Sequence, residues 1–273
     1  MKNICSIIGI LLFSLLTAQP KDTRTFEQIN DSILKEAHLI YRFDKAFTTM
    51  AANIDADRIL RKTAGEILIK PEGDKLHALV FTKDSSTQIA GEMTFDAYID
   101  STSLINVPRP ATVDEMNLLT IKHKIMNGVQ SKYEITYGDG DTYLNPIFIP
   151  YKEKIGAKEV QLYKFYLTTE TNQANTIPFG RDYMFIAKED GSLFYNLQFN
   201  NYMPVEITAE ITENQLVSIE YPEREHYITP TDMYLFVKYG TPYELLDLRV
   251  WSSYLGVFFN YNWDRETLDV TLE

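Results

Sequence analysis

The segment His226-Tyr227-Ile228-Thr229-Pro230-Thr231-Asp232 gathers an imidazole, several hydroxyls and a carboxylate in one short stretch. Thr229 followed by Pro230 reads as the cap and first turn of a helix, where backbone N–H groups lack partners and favour anions. Two roles compete for these residues. In the first, His226 is a general base oriented by Asp232, because imidazole exchanges protons near neutral pH. That chemistry is a hydrolase, either divergent and peptidase-like or carboxylate-based. In the second, Asp232 merely stabilises the helix start, worth about 0.3–1 kcal/mol. His226, Thr229 and Asp232 are the candidate catalytic residues.

Other chemistries lose their signatures. His38, His77 and His123 stand far from His226 and from one another, so neither H-E-x-x-H nor H-x-H occurs, and no metal ligand set is expected. Gly138-Asp139-Gly140-Asp141 starts like a calcium loop, but Tyr143 and Pro150 occupy positions where an EF-hand needs ligands. Asn53, Asp55 and Asp57 fail likewise, with Arg58 in place of glycine and Ala64 in place of glutamate. These two stretches read as a hairpin turn and a helix end. No G-x-G-x-x-G, G-x-x-x-x-G-K or G-x-S-x-G is present, so no cofactor is expected. Carboxylates are too plentiful for a glycosidase-like pair to be picked out.

The compartment is read from the start of the chain. Lys2, the apolar run Ile4–Leu16 and the small-residue exit Thr17-Ala18-Gln19 form the three parts of a secretory signal peptide. The run is shorter than the roughly 20 residues of a membrane span, and cleavage is expected between Ala18 and Gln19. Cys5 lies inside this segment, so the mature chain has no cysteine, which excludes disulfides, thiol nucleophiles and zinc–thiolate sites. The full chain carries a net charge of −12, and losing Lys2 makes it −13. With no basic stripe, nucleic acid and anionic membrane are not expected partners. A periplasmic or secreted protein follows, without a membrane span after cleavage.

Periodicity places the elements. Thr25–Ile54 reads as one long amphipathic helix, with Phe26, Ile29, Ile33, Ala37, Ile40, Phe43, Phe47, Met50 and Ile54 along one face and a Thr25/Gln28 capping box. Glu66–Lys70, Leu76–Thr82 and Glu92–Ile99 form an antiparallel meander. Pro108 and Pro110 break the chain. A second helix follows, capped by Thr112 and Glu115 and stopped at Gly128. Strands are expected at Tyr133–Tyr137, Val160–Leu167 (central, apolar on both faces), Tyr183–Ala187, Leu193–Phe199 and Leu216–Tyr221. Pro230–Tyr239 is a helix stopped at Gly240, and Leu246–Trp251, Gly256–Asn260 and Thr267–Thr271 close the sheet. The fold class is α+β. Its parts are residues 1–18 (signal), 19–107 (helix plus meander) and 108–273 (a larger mixed sheet with two helices), the last two able to form one compact unit.

The stretches Glu36-Ala37-His38-Leu39-Ile40-Tyr41-Arg42, Ile177-Pro178-Phe179-Gly180-Arg181-Asp182-Tyr183 and Ile228-Thr229-Pro230-Thr231-Asp232 resemble a group of exported Bacteroidota proteins of unassigned function. Separately, Ile219-Glu220-Tyr221-Pro222, then Thr229, then Asp232 resemble the JAMM/MPN metalloprotease signature in spacing and in the proline. Ile219 and Tyr221 stand where that family has its zinc-binding histidines, and Thr229 stands where it has serine. The resemblance therefore implies an MPN-like fold without its metal. Three functions remain: a non-enzymatic binding or scaffold protein for a protein or small-molecule ligand of the cell envelope, a hydrolase using Asp232 and His226, and an acidic immunity or inhibitor protein.

Overall fold

The computed structural model describes residues 24–106, 108–133, 135, 138–221 and 226–272. The signal segment and its Ala18/Gln19 cut lie outside these residues, as do Pro222 and most of the strand expected at 133–137. Tyr133 itself is helical and Ile135 belongs to no strand, so that expectation fails where it can be followed.

Helix α1, Phe26–Ala56, is the element the amphipathic stripe requires. The Thr25 hydroxyl accepts the Gln28 N–H at 3.2 Å while the Gln28 side chain accepts the Thr25 N–H at 3.0 Å, which closes the capping box. Ile29, Ile33, Ala37, Ile40, Phe43 and Met50 are buried, whereas Phe26 and Phe47 at the stripe's margin are exposed. A single turn, α2 (Leu60–Thr63), leads into a meander of β1 (Ala64–Glu72), β2 (Lys75–Thr82), β3 (Ser85–Phe95) and the short β4 (Arg109–Pro110). β3 stops four residues short of Ile99. The Asp96 carboxylate accepts the N–H groups of Tyr98 and Asp100, both at 2.9 Å, and this side-chain turn replaces the ladder and leaves Ile99 left-handed.

Helix α3, Val113–Tyr133, has the expected Thr112/Glu115 capping box but runs straight through Gly128. That glycine serves packing, since a Cβ there would meet Leu193 at 3.4 Å. Arg109 bridges Glu92 of β3 and Glu115 of α3, and its hydrogen bonds pull the Glu115 carboxyl down to about 2.

The central sheet has the order β10-β9-β7-β6-β5, with all its pairings antiparallel. Its strands are β5 (Gly138–Asp139), β6 (Thr142–Ile155), β7 (Lys158–Thr171), β9 (Tyr183–Lys188) and β10 (Leu193–Gln198). β7 is central, as its two apolar faces demand. β6 is not among the strands expected from the sequence, and it contains Pro146 and Pro150. Four residues apart, the two prolines point to the same edge of β6, which no described strand covers along their length, and such an edge tolerates a missing donor. β8 (Thr176–Phe179) pairs with β11 (Met203–Glu206), and α4 (Ala209–Asn214) follows. None of these three short elements has a periodic signature.

β12 (Leu216–Tyr221), β13 (Asp247–Ser252), β14 (Val257–Asn262) and β15 (Thr267–Leu272) form a separate sheet and do not close the central one. It is mixed, because β12 and β13 are parallel and are joined through α5, Pro230–Gly240. Gly240 is not the stop expected of it. It stays right-handed, with a hypothetical Cβ 3.3 Å from Leu245, and the chain makes one more 3-10 turn, Thr241–Tyr243, before Glu244 turns left-handed. The architecture is α+β, with α1 and α5 sharing one apolar cluster and α3 covering a second. Residues on both sides of Pro108 contribute to each cluster.

One buried ion network ties α1 to α5 and the central sheet. Lys238 on α5 pairs with Asp44 of α1 at 3.0 Å and with Glu170 of β7, and it donates to the Tyr234 hydroxyl at 3.1 Å. Burial opposes the lysine's charge, but the two carboxylates outweigh it and hold the ammonium above its ordinary value. Lys238→Met leaves Asp44 and Glu170 buried without a counter-charge, so a loss of about 3–5 kcal/mol is expected in denaturant unfolding. A stability equal to the parent would contradict this account of the network.

Candidate functional site

The turn from β8 to β9 runs Phe179-Gly180-Arg181-Asp182 with two successive left-handed residues, φ +76° and +62°. It is held against the segment that follows β10. Arg181 N–H donates to the Asn200 carbonyl at 2.6 Å, and Phe199 N–H donates to the Asp182 carbonyl at 2.8 Å. Only glycine fits at 180, because a Cβ there would strike the Asn201 carbonyl oxygen. The turn drives the Asp182 side chain inward, where Oδ1 accepts the Thr169 N–H at 2.6 Å.

From the opposite side comes the start of α5. Thr229 is the cap, Pro230 the first helical residue, and Asp232 N–H donates to Thr229 Oγ1 at 3.1 Å, so the capping reading of this segment holds. The Asp232 carboxylate does more than cap. Its Oδ2 accepts from the Tyr221 hydroxyl of β12, from Thr229 Oγ1 at 2.8 Å and from Asn200 Nδ2 at 3.2 Å. Thr231 Oγ1 stands 3.1 Å from Thr229 Oγ1. Asp182, Asp232, Thr231, Tyr221 and Asn200 are all buried.

The electrostatics of this pocket are set by desolvation. Burial pushes the Asp182 carboxyl well above the ordinary range and the charge of Asp232 pushes it further, against weaker pulls from the Thr169 N–H and from the Thr231 and Thr169 hydroxyls. Burial also raises Asp232, against the pull of hydrogen bonds from Tyr221, Thr229 and Asn200. The Gly180 N–H adds a smaller pull, short of full hydrogen-bond geometry. Among the described residues Asp182 Oδ2 and Asp232 Oδ1 have no hydrogen-bond partner of full geometry, and no lysine or arginine pairs with either acid. Two bare carboxylates cannot share such a site. A neutral Asp182 beside an ionised Asp232, which has the three donors, is the arrangement that the geometry supports.

His226 is not part of this cluster. Its ring stacks on Tyr254 with centroids 3.8 Å apart, and its carbonyl accepts from Ser252 Oγ at 2.9 Å. The cap turns Asp232 into the core while His226, before the cap, stays with the β13–β14 hairpin. Thus Thr229 and Asp232 are brought together and His226 is not. The other histidines are occupied separately: His38 is edge-on to Trp263, His77 lies by Glu72 and Thr94, and His123 by Glu66. Among the described residues no three His, Cys, Asp or Glu side chains gather in a metal-holding group. Ile219 and Tyr221, the positions of the metalloprotease likeness, both face the core from β12.

Thr229 also forms part of the wall of a groove of about 160 Å³, which sequence reasoning missed. Tyr166 and Lys164 of β7, Glu36 of α1, and Leu197 and Phe199 at the sheet edge are also in its lining. Glu36 accepts from Lys164 Nζ and from the Tyr166 hydroxyl, each at 2.5 Å, so a neutralised polar patch sits in an otherwise apolar channel. Two charges were the available signal: Glu36 beside the apolar stripe of α1, and Lys164 inside a strand otherwise read as apolar on both faces.

Asp182→Asn tests the carboxyl pair. The raised value of Asp182 means that the folded state holds a proton which the unfolded chain releases near pH 4. Parent stability should therefore fall as pH rises above about 4 until the folded-state carboxyl ionises, and Asp182→Asn should flatten that fall by one proton. Identical slopes in pH-dependent thermal unfolding would contradict the protonated Asp182. Gly180→Ala should cost on the order of 3 kcal/mol, since it combines φ strain with a backbone clash.

Compared with family models, with curated proteins and with solved structures, the chain gives no match.

Proposed function

We propose that the chain is an exported, non-enzymatic binding or scaffold protein that takes its ligand in the groove between α1, the β10 edge of the central sheet and the start of α5. The observation that carries this reading is a division of labour. The chemically potent acids are enclosed behind Thr229, Tyr221 and Asn200, while the surface open to a ligand is mainly apolar and aromatic, with the uncharged Ser32, Gln198 and Thr229 and one self-neutralised Glu36–Lys164 pair. Ligand sites have this composition, an apolar lining with a few fixed polar groups. A larger cavity of about 260 Å³ lies between α1, β1 and β6, but its Glu66 and Lys122 satisfy each other at 2.6 Å and it adjoins none of the candidate residues.

The hydrolase reading has Asp182 in its favour as a second acid beside Asp232, yet it needs substrate and water to reach atoms enclosed by three donors, and it needs His226 where Asp232 is. The inhibitor reading draws on the net charge of −12, which suits a basic partner. The signal segment supports export to the periplasm or beyond.

An anilinonaphthalene-sulfonate dye reports on the groove. We expect the mature protein to bind it, and Leu197→Trp, which fills the channel, to weaken binding about tenfold at unchanged thermal stability. Equal dye binding by the two proteins would remove the groove. Hydrolytic turnover lost in Asp232→Asn but kept in Leu197→Trp would replace this reading with the enzymatic one.

A further inference from the structure

A free sheet edge is a template for another chain, and folded proteins usually guard it with proline, charge or a covering element. The described edges here follow that rule with one exception. β1 carries Lys70 and Pro71, and Lys122 Nζ donates to the Ile67 carbonyl at 3.0 Å. β6 carries Pro146 and Pro150, and β8 and β11 carry Pro178 and Pro204. β12 has Glu220, and β15 has Asp269 with the Asn30 side chain donating to the Leu268 carbonyl at 3.0 Å. β4 and β5 are two residues each. β10, Leu193-Phe194-Tyr195-Asn196-Leu197-Gln198, has no proline and no charge, and no described strand pairs with its outer side.

That unguarded edge is also the rim of the groove. Leu197 pairs with Met184 and Gln198 with Tyr183, and Phe199 N–H donates to the Asp182 carbonyl. Residues 197 and 199 therefore turn their backbone groups toward β9, and Asn196 and Gln198 turn theirs outward. With side chains alternating across the strand, Tyr195, Leu197 and Phe199 line the groove, the exposed Gln198 borders it at the rim, and the exposed Asn196 lies on the other face, where its Oδ1 accepts from the Tyr133 hydroxyl. Open hydrogen-bonding groups and an apolar channel thus lie side by side.

We infer that the ligand is an extended peptide segment of another protein, which adds as a sixth strand along β10 and drops alternate apolar side chains into the groove. This rests on the reading of the groove as the binding site. Backbone bonds to Asn196 and Gln198 supply affinity, and the groove selects the side chains. The net charge of −12 favours a segment without acidic residues. A second copy of this chain fits less well. In a two-fold β10–β10 pairing each copy's Tyr195 and Leu197 already line their own groove, so both grooves stay unfilled. One six-residue strand also falls short of the roughly 1,200–2,000 Å² of a stable interface.

The experiment selects a random linear peptide library, displayed on phage, against the full mature protein, and measures the best synthetic peptide by calorimetry. Peptides with apolar residues at every second position are expected. Asn196→Pro removes one outward N–H without touching the β9 ladder and should weaken binding about tenfold, and Leu197→Lys should weaken it at least as much. N-methylation of alternate peptide residues should weaken binding about tenfold in one register only, a readout that needs no protein variant. The proposal is overturned by any of three results: no peptide enriched over the Asn196→Pro protein, affinity indifferent to N-methylation in both registers, or concentration-dependent dimers abolished by Asn196→Pro. If dye still binds the parent groove after such a result, the peptide is wrong and the groove reading survives. If dye binding is also lost, both fail.

Discussion

A single oxygen atom holds the functional end of this molecule together. Asp232 Oδ2 takes hydrogen bonds from Tyr221 on the C-terminal sheet, from Thr229 at the cap of α5 and from Asn200 beyond the edge of the central sheet. A strand end, a helix cap and, 32 residues earlier in the chain, Asn200 converge on one buried charge. Because a carboxylate in the interior must be satisfied or neutralised, none of the three can move alone. Asp182 completes the arrangement from the strained turn after β8, where Gly180 makes the close approach to Asn201. The groove wall at Thr229 is the outer surface of this knot, so the shape offered to a ligand is fixed from behind.

The second fixed point is the Lys238 network, which joins α1, α5 and β7 through Asp44 and Glu170. Between the two lies the first turn of α5, and α1 crosses above it with Glu36 reaching down to Lys164 and Tyr166. Buried polar groups so arranged add little net stability, because desolvation consumes most of the Coulombic gain. Their effect is to define positions. In this protein the position they define is that of the groove against the open edge of β10.

Much of this architecture was legible. The α1 stripe, both threonine capping boxes, the Thr229–Pro230 helix start and the central place of β7 follow from periodicity and cap chemistry, which are local. What was hidden depends on distant neighbours. Gly128 and Gly240 read as stops, but Gly128 packs against Leu193 from far along the chain, and Gly240 stays right-handed beside Leu245, with the left-handed turn falling at Glu244. β6 went unassigned: a strand accepts prolines such as Pro146 and Pro150 only on an open edge, and a sequence does not state which side of a strand is an edge. At the site, Asp232 and Thr229 were found as a pair through their spacing. Asp182 and Asn200 were not, since nothing local marks a residue whose partner is far along the chain. His226 was grouped with Asp232 by proximity in sequence, and the helix cap that lies between them sends their side chains opposite ways.

The carboxyl pair is the claim on which the non-catalytic reading stands, and it is open to direct observation. Carbon-13 NMR of the aspartate side chains in the mature protein, followed from acid through neutral pH, resolves each carboxyl by its ionisation. The account requires the Asp182 carbon to keep the shift of a protonated acid into the neutral range while Asp232 is ionised there, with both insensitive to dye in the groove. If both carboxyls ionise together in the ordinary acidic range, as solvent-bathed acids do, the acids are accessible and the enclosed, non-catalytic arrangement is wrong.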